Sequence, residues 1–217
     1  MAARLQHPAH LKAIIFDYGE VLCHRPTPAE IEELAGFFGI SVDALPALWE
    51  KNRGSFDRGD LTAGAYWHML AEDAGTKLSS DELQRICDLD MTMWSNVNSA
   101  MIDWTRQLGA AGLKLGLLSN MHPDMVAHCR KRFDWIGNFD FVTFSGEVRL
   151  IKPDPAIYQH TLRGLGVAPS EVLFLDDRDV NVQAARKLGI HAIRVQSMPQ
   201  LRADLQTAGF TLLPANS

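Results

Sequence analysis

The stretch Ala13-Ile14-Ile15-Phe16-Asp17-Tyr18-Gly19-Glu20-Val21-Leu22 places an aspartate directly after a short apolar run and a glycine two residues later. Such a run, followed by a turn, is typical of a strand that is buried on both faces of a parallel sheet. A carboxylate at the end of a buried strand costs stability unless a cation or hydrogen-bond donors compensate its charge. The stretch therefore predicts the first strand of the fold and a functional group, Asp17, at its end.

Short apolar runs alternate with amphipathic helical patterns through the second half of the chain. Strands are predicted at 113–118, 139–144, 172–175 and 192–195, and helices at 124–133, 155–165, 180–188 and 200–208. This alternation predicts an α/β fold, a doubly wound (Rossmann-like) parallel sheet. Ligands of such sheets bind beyond the carboxyl ends of the strands, where Asp17, Ser119 and Asp176-Asp177 are all predicted to lie.

The interval from about residue 25 to residue 98 has no convincing strand pattern and contains several helix starts. Thr27-Pro28-Ala29-Glu30 and Ser79-Ser80-Asp81-Glu82 both match the capping box, in which a hydroxyl and a glutamate satisfy backbone N–H groups at a helix start. We therefore expect an inserted α-helical cap domain over 25–98 and an α/β core domain formed by 1–24 and 99–217.

The composition excludes several classes of partner. The 217-residue chain has a net charge of −5, which gives no basic footprint for nucleic acid or an anionic membrane surface. No apolar run approaches the ~20 residues that a membrane-spanning helix needs. Cys23, Cys87 and Cys129 lack metal-type spacing and the first twelve residues have no apolar signal core, so we expect a cytoplasmic protein. The sequence leaves the oligomeric state open between monomer and homodimer.

Three acidic side chains are predicted to meet at the site, Asp17, Asp176 and Asp177. Two unit charges ~4 Å apart repel by about 4 kcal/mol at an effective dielectric near 20, and a phosphate dianion would add further negative charge. Lys152 supplies a single positive charge, so the charge balance predicts a bound Mg²⁺, which prefers oxygen ligands. Candidate ligands are Asp17, the carbonyl of Gly19 and one or both of the adjacent aspartates.

Four short motifs occur in order along the chain, and together they resemble the haloacid dehalogenase-like (HAD) hydrolase superfamily over nearly its whole length. They are Phe16-Asp17 with Val21-Leu22, Leu118-Ser119-Asn120, Lys152-Pro153-Asp154, and Asp176-Asp177 followed by Asn181 and Ala184-Ala185. Each motif alone occurs by chance in many chains, whereas four in order with matching flanks are specific. The inserted helices match the family's smaller helical cap, and the stretch 53–60 lies where such caps present a specificity loop.

The resemblance implies a Mg²⁺-dependent phosphohydrolase that acts on a small phosphorylated metabolite. Asp17 would be the nucleophile and would form an aspartyl-phosphate. Ser119 and Asn120 would bind the transferring phosphoryl group, and Lys152 would stabilise charge on the nucleophile and on the phosphate. The second aspartate of the Asp176-Asp177 pair would bind the metal directly, and the first would lie beside it or act through water.

One position departs from the family's pattern. Most phosphatases of the family have a second aspartate two residues after the nucleophile, which acts as general acid and then as base, and here that position is Gly19. General acid–base assistance is typically worth about 10²–10⁴-fold, so we expect a replacement group, with Glu20 and His24 as candidates, or a leaving group that needs little protonation. The family includes glucose-1-phosphatase-like sugar phosphatases with glycine at this place, which favours an anomeric sugar phosphate as substrate.

Two alternatives stay open. A 2-haloacid dehalogenase would use Asp17 to attack carbon and would need no metal, although the Asp176-Asp177 pair works against that chemistry. A catalytically weak member of the same fold that only binds a phosphorylated ligand would also be consistent with Gly19.

Overall fold

The computed structural model describes residues 7–215, and part of the amino-terminal segment used for the localisation expectation lies outside this range. A parallel sheet in the order β3-β2-β1-β4-β5 forms the centre of the described chain. Its strands are β1 (Ala13–Phe16), β2 (Lys114–Ser119), β3 (Phe141–Phe144), β4 (Val172–Asp176) and β5 (His191–Arg194). The predicted α/β fold with a doubly wound parallel sheet is confirmed.

Eleven α-helices accompany the sheet in the described residues. The first five are α1 (Pro28–Phe38), α2 (Leu45–Trp49), α3 (Arg53–Asp57), α4 (Ala63–Asp73) and α5 (Ser80–Met93). The other six are α6 (Ser99–Ala110), α7 (Pro123–Arg132), α8 (Ser145–Val148), α9 (Pro155–Leu165), α10 (Asp179–Lys187) and α11 (Met198–Thr207).

The strand side chains alternate between two hydrophobic cores, as the pleat requires. Ile14 and Phe16 belong to the core that also contains apolar residues of α6, α7 and α11. Ala13 and Ile15 point the other way, into the core formed with α9 and α10. The sheet is therefore covered on both faces, and this burial explains why its strands are almost continuously apolar.

The helices α1 to α5 form a helical insertion, residues 28–93, with a hydrophobic core of its own that includes Leu34, Phe56, Trp67 and Ile86. The capping boxes predicted at the starts of α1 and α5 are present, because Thr27 and Ser79 exchange hydrogen bonds with the glutamates three residues later. The isolated antiparallel bridge between Cys23 and Val97 joins the two connecting segments at its base. The division into a core domain of 1–24 and 99–217 and a cap domain of 25–98 stays a prediction.

Candidate active site

The predicted site residues follow strands that are neighbours in the sheet. Asp17 comes directly after β1, Ser119 ends β2 and Asp176 ends β4, and β1 lies between the other two strands. The N–H of Asp17 donates to the carbonyl of Leu175 at 2.8 Å, which extends the β1–β4 pairing by one residue. The parallel arrangement thus places all three polar side chains at the same edge of the sheet.

Lys152 is the cation at the centre of this edge. Its Nζ lies 2.8 Å from Oδ1 of Asp17 and 2.7 Å from Oδ2 of Asp176, with the Lys152 side chain 1% exposed and that of Asp17 8% exposed. Nζ also donates to the carbonyl of Leu118 at 3.2 Å. The backbone N–H of Tyr18 donates to the same Oδ1 of Asp17 at 2.7 Å, so the candidate nucleophile is held from two sides.

Asn120 lines the cavity, and its side chain holds the Lys152 loop. Its Nδ2 donates to the carbonyl of Lys152 at 2.9 Å, and its Oδ1 accepts from the N–H of Lys152 at 2.8 Å. Ser119 is buried and lines the cavity above the sheet edge. Of the two predicted phosphate ligands, Ser119 therefore presents its side chain to the cavity, and the amide of Asn120 positions the lysine.

The two adjacent aspartates have different surroundings. Asp176 is fully buried, and its Oδ1 accepts from the N–H of Arg178 at 2.8 Å and from Nδ2 of Asn181 at 3.0 Å. Its Oδ2 is occupied by Lys152. Asp177 is half-buried and lines the cavity, so it is the aspartate of the pair that can face a ligand.

The geometry of the acidic groups fits a metal ion. Asp17, Asp176 and Asp177 each offer a carboxylate oxygen within 4.8 Å of the others. When all three carboxylates are ionised, the single positive charge of Lys152 leaves a net charge of −2 at the site. Burial raises the pKa of Asp17 well above its usual value. Lys152 opposes this effect on the pKa, and the other two aspartates add to it. Burial together with Asp176 and Glu20 raises the pKa of Asp177 to about 6. A divalent cation with a preference for oxygen would relieve this repulsion.

Of the three residues Gly19, Glu20 and His24, the structure places the first two at the site and the third outside it. Gly19 and Glu20 line the cavity, and Oε2 of Glu20 accepts from Nε of Arg25 at 2.9 Å. His24 is exposed and is not part of the cavity wall. Cys23 forms the bridge to Val97 and is buried, and in this extended segment the side chain of the following residue, His24, points to the opposite side. The structure therefore leaves Glu20 as the nearer of the two predicted replacements for the missing acid.

The helical insertion covers the sheet edge and encloses a cavity of about 450 Å³. Trp49 and Trp94, which were not among the predicted site residues, both lie in its wall. The expected specificity loop at 53–60 is in fact the short helix α3 followed by a turn, and its Arg53 and Asp57 line the cavity. Nε of Arg53 donates to Oδ1 of Asp57 at 2.9 Å, four residues later on the same helix.

His122 is a cavity residue that was not among the predicted site residues. It is the N-cap of α7 and is buried, with its ring stacked on Phe56 of α3 at 4.1 Å between centroids. Its Nε2 lies 3.0 Å from Oδ2 of the buried Asp90 on α5. Its place in the sequence could have indicated this role. His122 lies within three residues of the Ser119-Asn120 motif and directly precedes a proline that is typical of a helix start.

No helix in the described range 7–215 is long and apolar enough to cross a membrane.

Comparison with known proteins agrees with this geometry. (S)-2-haloacid dehalogenase 1 of Pseudomonas sp. (strain CBS-3) is 26% identical over 194 residues, which covers 85% of this chain and 84% of that protein. The protein named "Putative phosphatase YhcW" of Bacillus subtilis (strain 168) is 28% identical over 191 residues, covering 85% of this chain and 83% of that protein. The matched chains thus carry names from both phosphatase and dehalogenase chemistry.

Solved structures show the same fold. An aspartate-to-alanine mutant of the HAD family enzyme bt-2542 of Bacteroides thetaiotaomicron, crystallised with magnesium and inorganic phosphate, superposes with a TM-score of 0.69 at 20% identity and covers 85% of this chain and 93% of that one. L-2-haloacid dehalogenase of Xanthobacter autotrophicus superposes with a TM-score of 0.65 at 21% identity, covering 95% and 90%. The family model described as haloacid dehalogenase-like hydrolase matches residues 11–189. The chain therefore belongs to the haloacid dehalogenase-like hydrolase family.

Proposed function

We propose that this hydrolase is a Mg²⁺-dependent phosphatase that cleaves a small phosphorylated molecule through an aspartyl-phosphate on Asp17. The observation that supports this most is the cluster of three carboxylates within 4.8 Å, two of them bonded to Lys152. Such a cluster repels an anionic substrate unless a divalent cation is present. A structural relative crystallised with magnesium and inorganic phosphate supports the same assignment.

The metal ligands that we propose are Asp17, the carbonyl of Gly19 and Asp177, with Asp176 beside them. Asp176 has both oxygens engaged by Lys152, Asn181 and a backbone N–H, which suits an orienting role better than direct ligation. When bound, Mg²⁺ would offset negative charge on the carboxylates and the phosphate.

The protein's own groups account for binding and attack. Ser119 and the backbone N–H groups of Gly19 and Asn120 are proposed to donate to the phosphate oxygens, since in the described residues neither N–H has an acceptor. Lys152 is kept charged because Asp17 and Asp176 outweigh the effect of burial and raise its pKa. An oxygen of Asp17 then bonds to phosphorus as the ester P–O bond breaks, and water later attacks the same phosphorus and restores the carboxylate.

Acetyl phosphate provides a direct test, because its small acyl group makes few demands on the cavity and leaves as a carboxylate. We expect Mg²⁺-dependent phosphate release that falls by at least about 10³-fold in Asp17→Asn, which keeps an acceptor for the N–H of Tyr18 but lacks the nucleophilic carboxylate. We also expect a hydroxylamine-sensitive phosphoenzyme in the wild type. Release that survives EDTA, or that survives in Asp17→Asn, would overturn the proposed mechanism.

A second candidate is a 2-haloacid dehalogenase, since relatives with that name match most of the chain. Its substrate anion would meet three carboxylates at the sheet edge, where Lys152 is the cation that contacts them among residues 7–215. The assay is halide release from 2-chloropropionate in EDTA, and we expect none. Silence toward acetyl phosphate, with phosphate binding retained, would instead favour a binding protein without turnover.

A further inference from the structure

The roof of the cavity is mostly apolar. The helical insertion, together with Trp94 that directly follows it, contributes nine residues to the wall. Six of these side chains are apolar: Ile31, Val42, Leu45, Pro46, Trp49 and Trp94. Met121 and Met125 extend this surface from the core side. A substrate held by its phosphate on the sheet edge would therefore meet carbon, not hydroxyl or amide groups, over most of its remaining surface.

The charged side chains of the roof are already paired. Arg53 bonds to Asp57, and burial of its guanidinium is outweighed by the carboxylates of Asp57 and Asp90, which hold its pKa above the usual value. Oε1 of Glu50 lies 3.3 Å from Nη2 of Arg178, and both residues line the cavity. A sugar carries several hydroxyl groups, and each needs a hydrogen-bond partner when it is buried. Side chains that already form ion pairs offer few free donors or acceptors to such hydroxyls.

An aromatic ring lies over the position of the missing acid. A Cβ built on Gly19 would lie 3.7 Å from Cζ3 of Trp94, and Trp94 is in turn 6.3 Å from Trp49 between ring centroids. In most phosphatases of the family the general acid stands at this position and protonates the leaving group, so in the proposed mechanism the group that departs from phosphorus would face these two rings. Flat apolar rings pack favourably against such a wall.

The absence of an aspartate at position 19 favours the same kind of leaving group. A phenol has a pKa of about 10, the value of a tyrosine side chain, whereas an alkyl alcohol lies near that of water, about 16. A phenolate can therefore depart without being protonated in the transition state. Glu20, the nearer acidic side chain, has its Oε2 bound by Arg25.

We propose, building on the function above, that the substrate is a small aryl phosphate with an apolar ring. In the first step a bond forms between Asp17 and phosphorus while the bond from phosphorus to the phenolic oxygen breaks. The electron pair stays on that oxygen, which leaves as phenolate and takes a proton from water. Hydrolysis of the aspartyl-phosphate then releases inorganic phosphate and regenerates Asp17. The net reaction is aryl phosphate plus water to phenol plus phosphate.

Phenyl phosphate and benzyl phosphate form a matched pair, since both carry one benzene ring and they differ in the acidity of the leaving group. With Mg²⁺ present, we expect kcat/KM for phenyl phosphate to exceed that for benzyl phosphate and for glucose 1-phosphate by at least about 10²-fold. Equal turnover of the pair, or preference for glucose 1-phosphate, would overturn the aryl proposal while acetyl phosphate hydrolysis leaves the phosphatase proposal standing. Failure with acetyl phosphate as well would overturn both.

Binding gives a readout that does not depend on turnover. Trp49→Leu keeps an apolar side chain for folding and removes the aromatic plane, so phenylphosphonate should bind about 10-fold more weakly relative to methylphosphonate. Val180→Ala, at an exposed position outside the cavity wall, is the control and should not change this ratio. An unchanged ratio in folded Trp49→Leu would remove the proposed aromatic contact and contradict the inference.

Discussion

Gly19 shows how much a single residue decides at this site. Its backbone is outside the left-handed region, and a Cβ there would make only ordinary contact with Trp94. The Cβ of a substituted residue is therefore accommodated without a clash. We expect Gly19→Asp to raise kcat/KM for benzyl phosphate by about 10²-fold over Gly19→Asn, because only the carboxyl group can protonate an alkoxide. Steady-state kinetics of the two variants checks this, and equal rates would show that the position cannot serve as the acid.

Asp177 gives the residue-scale prediction on pH. Its pKa of about 6 lies above the usual value of 3.8, so the folded protein binds more protons than the unfolded chain between these values. This contribution to stability is present below about pH 4 and is lost as the pH rises through about 6. In EDTA, urea unfolding of the wild type should therefore lose more stability between pH 4 and 7 than that of Asp177→Asn. Parallel pH profiles would contradict the prediction.

At the scale of elements, Asn120 connects the end of β2 to the loop before α9. Both of its side-chain hydrogen bonds go to the backbone of Lys152, so Asn120→Ala should release the lysine loop. We expect kcat for acetyl phosphate to fall by at least about 10-fold, and hydrogen exchange of the Lys152 amide in the ligand-free protein to accelerate. The exposed Asn138→Ala is the control. Unchanged exchange at Lys152 would show that Asn120 acts on phosphate alone.

At the scale of the whole molecule, the His122–Asp90 pair joins the sheet edge to the helical insertion. His122 Nδ1 accepts from the N–H of Met125, which leaves Nε2 to donate to Asp90. His122→Asn preserves a good N-cap but leaves the carboxylate of Asp90 buried without its partner, so we expect a loss of about 3 kcal/mol in unfolding free energy. Asp88→Asn, exposed on the same helix, should change it by less than about 0.5 kcal/mol.

Two measurements make this prediction specific to the insertion. Hydrogen exchange in α3 and α5 should accelerate in His122→Asn, because both helices contact the imidazole. Adding Asp90→Leu to that variant should restore part of the stability, since it removes the buried carboxylate that has lost its hydrogen bond to His122. If His122→Asn is as stable as Asp88→Asn, the pair does not hold the insertion on the sheet.

Much of this molecule was predictable because its signals are local. The strands at 113–118 and 172–175 and the helix at 155–165 are observed within one residue of their predicted bounds, since apolar periodicity and caps act over a few residues. The strand expected from residue 139 begins at Phe141, after a 3₁₀ segment that no repeating pattern marks. The meeting of Asp17, Ser119 and Asp176 at one edge also followed from parallel strand order.

Residue types and their order were enough to predict the α/β architecture and the meeting of Asp17 with the Asp176-Asp177 pair, because both follow from apolar runs and from parallel strand order. The family resemblance, in turn, implied that Gly19 stands at the position of the general acid. The packing of the folded chain was needed to show that His24 faces solvent, that His122 and Asp90 pair across 32 positions, and that Trp94 lies over Gly19. These contacts depend on how the helical insertion docks, and its apolar faces are compatible with many orientations until the packing of the whole chain selects one. The sugar-phosphate interpretation drew on Gly19 alone and stays a prediction, and the apolar roof above that residue argues for an aryl group in its place.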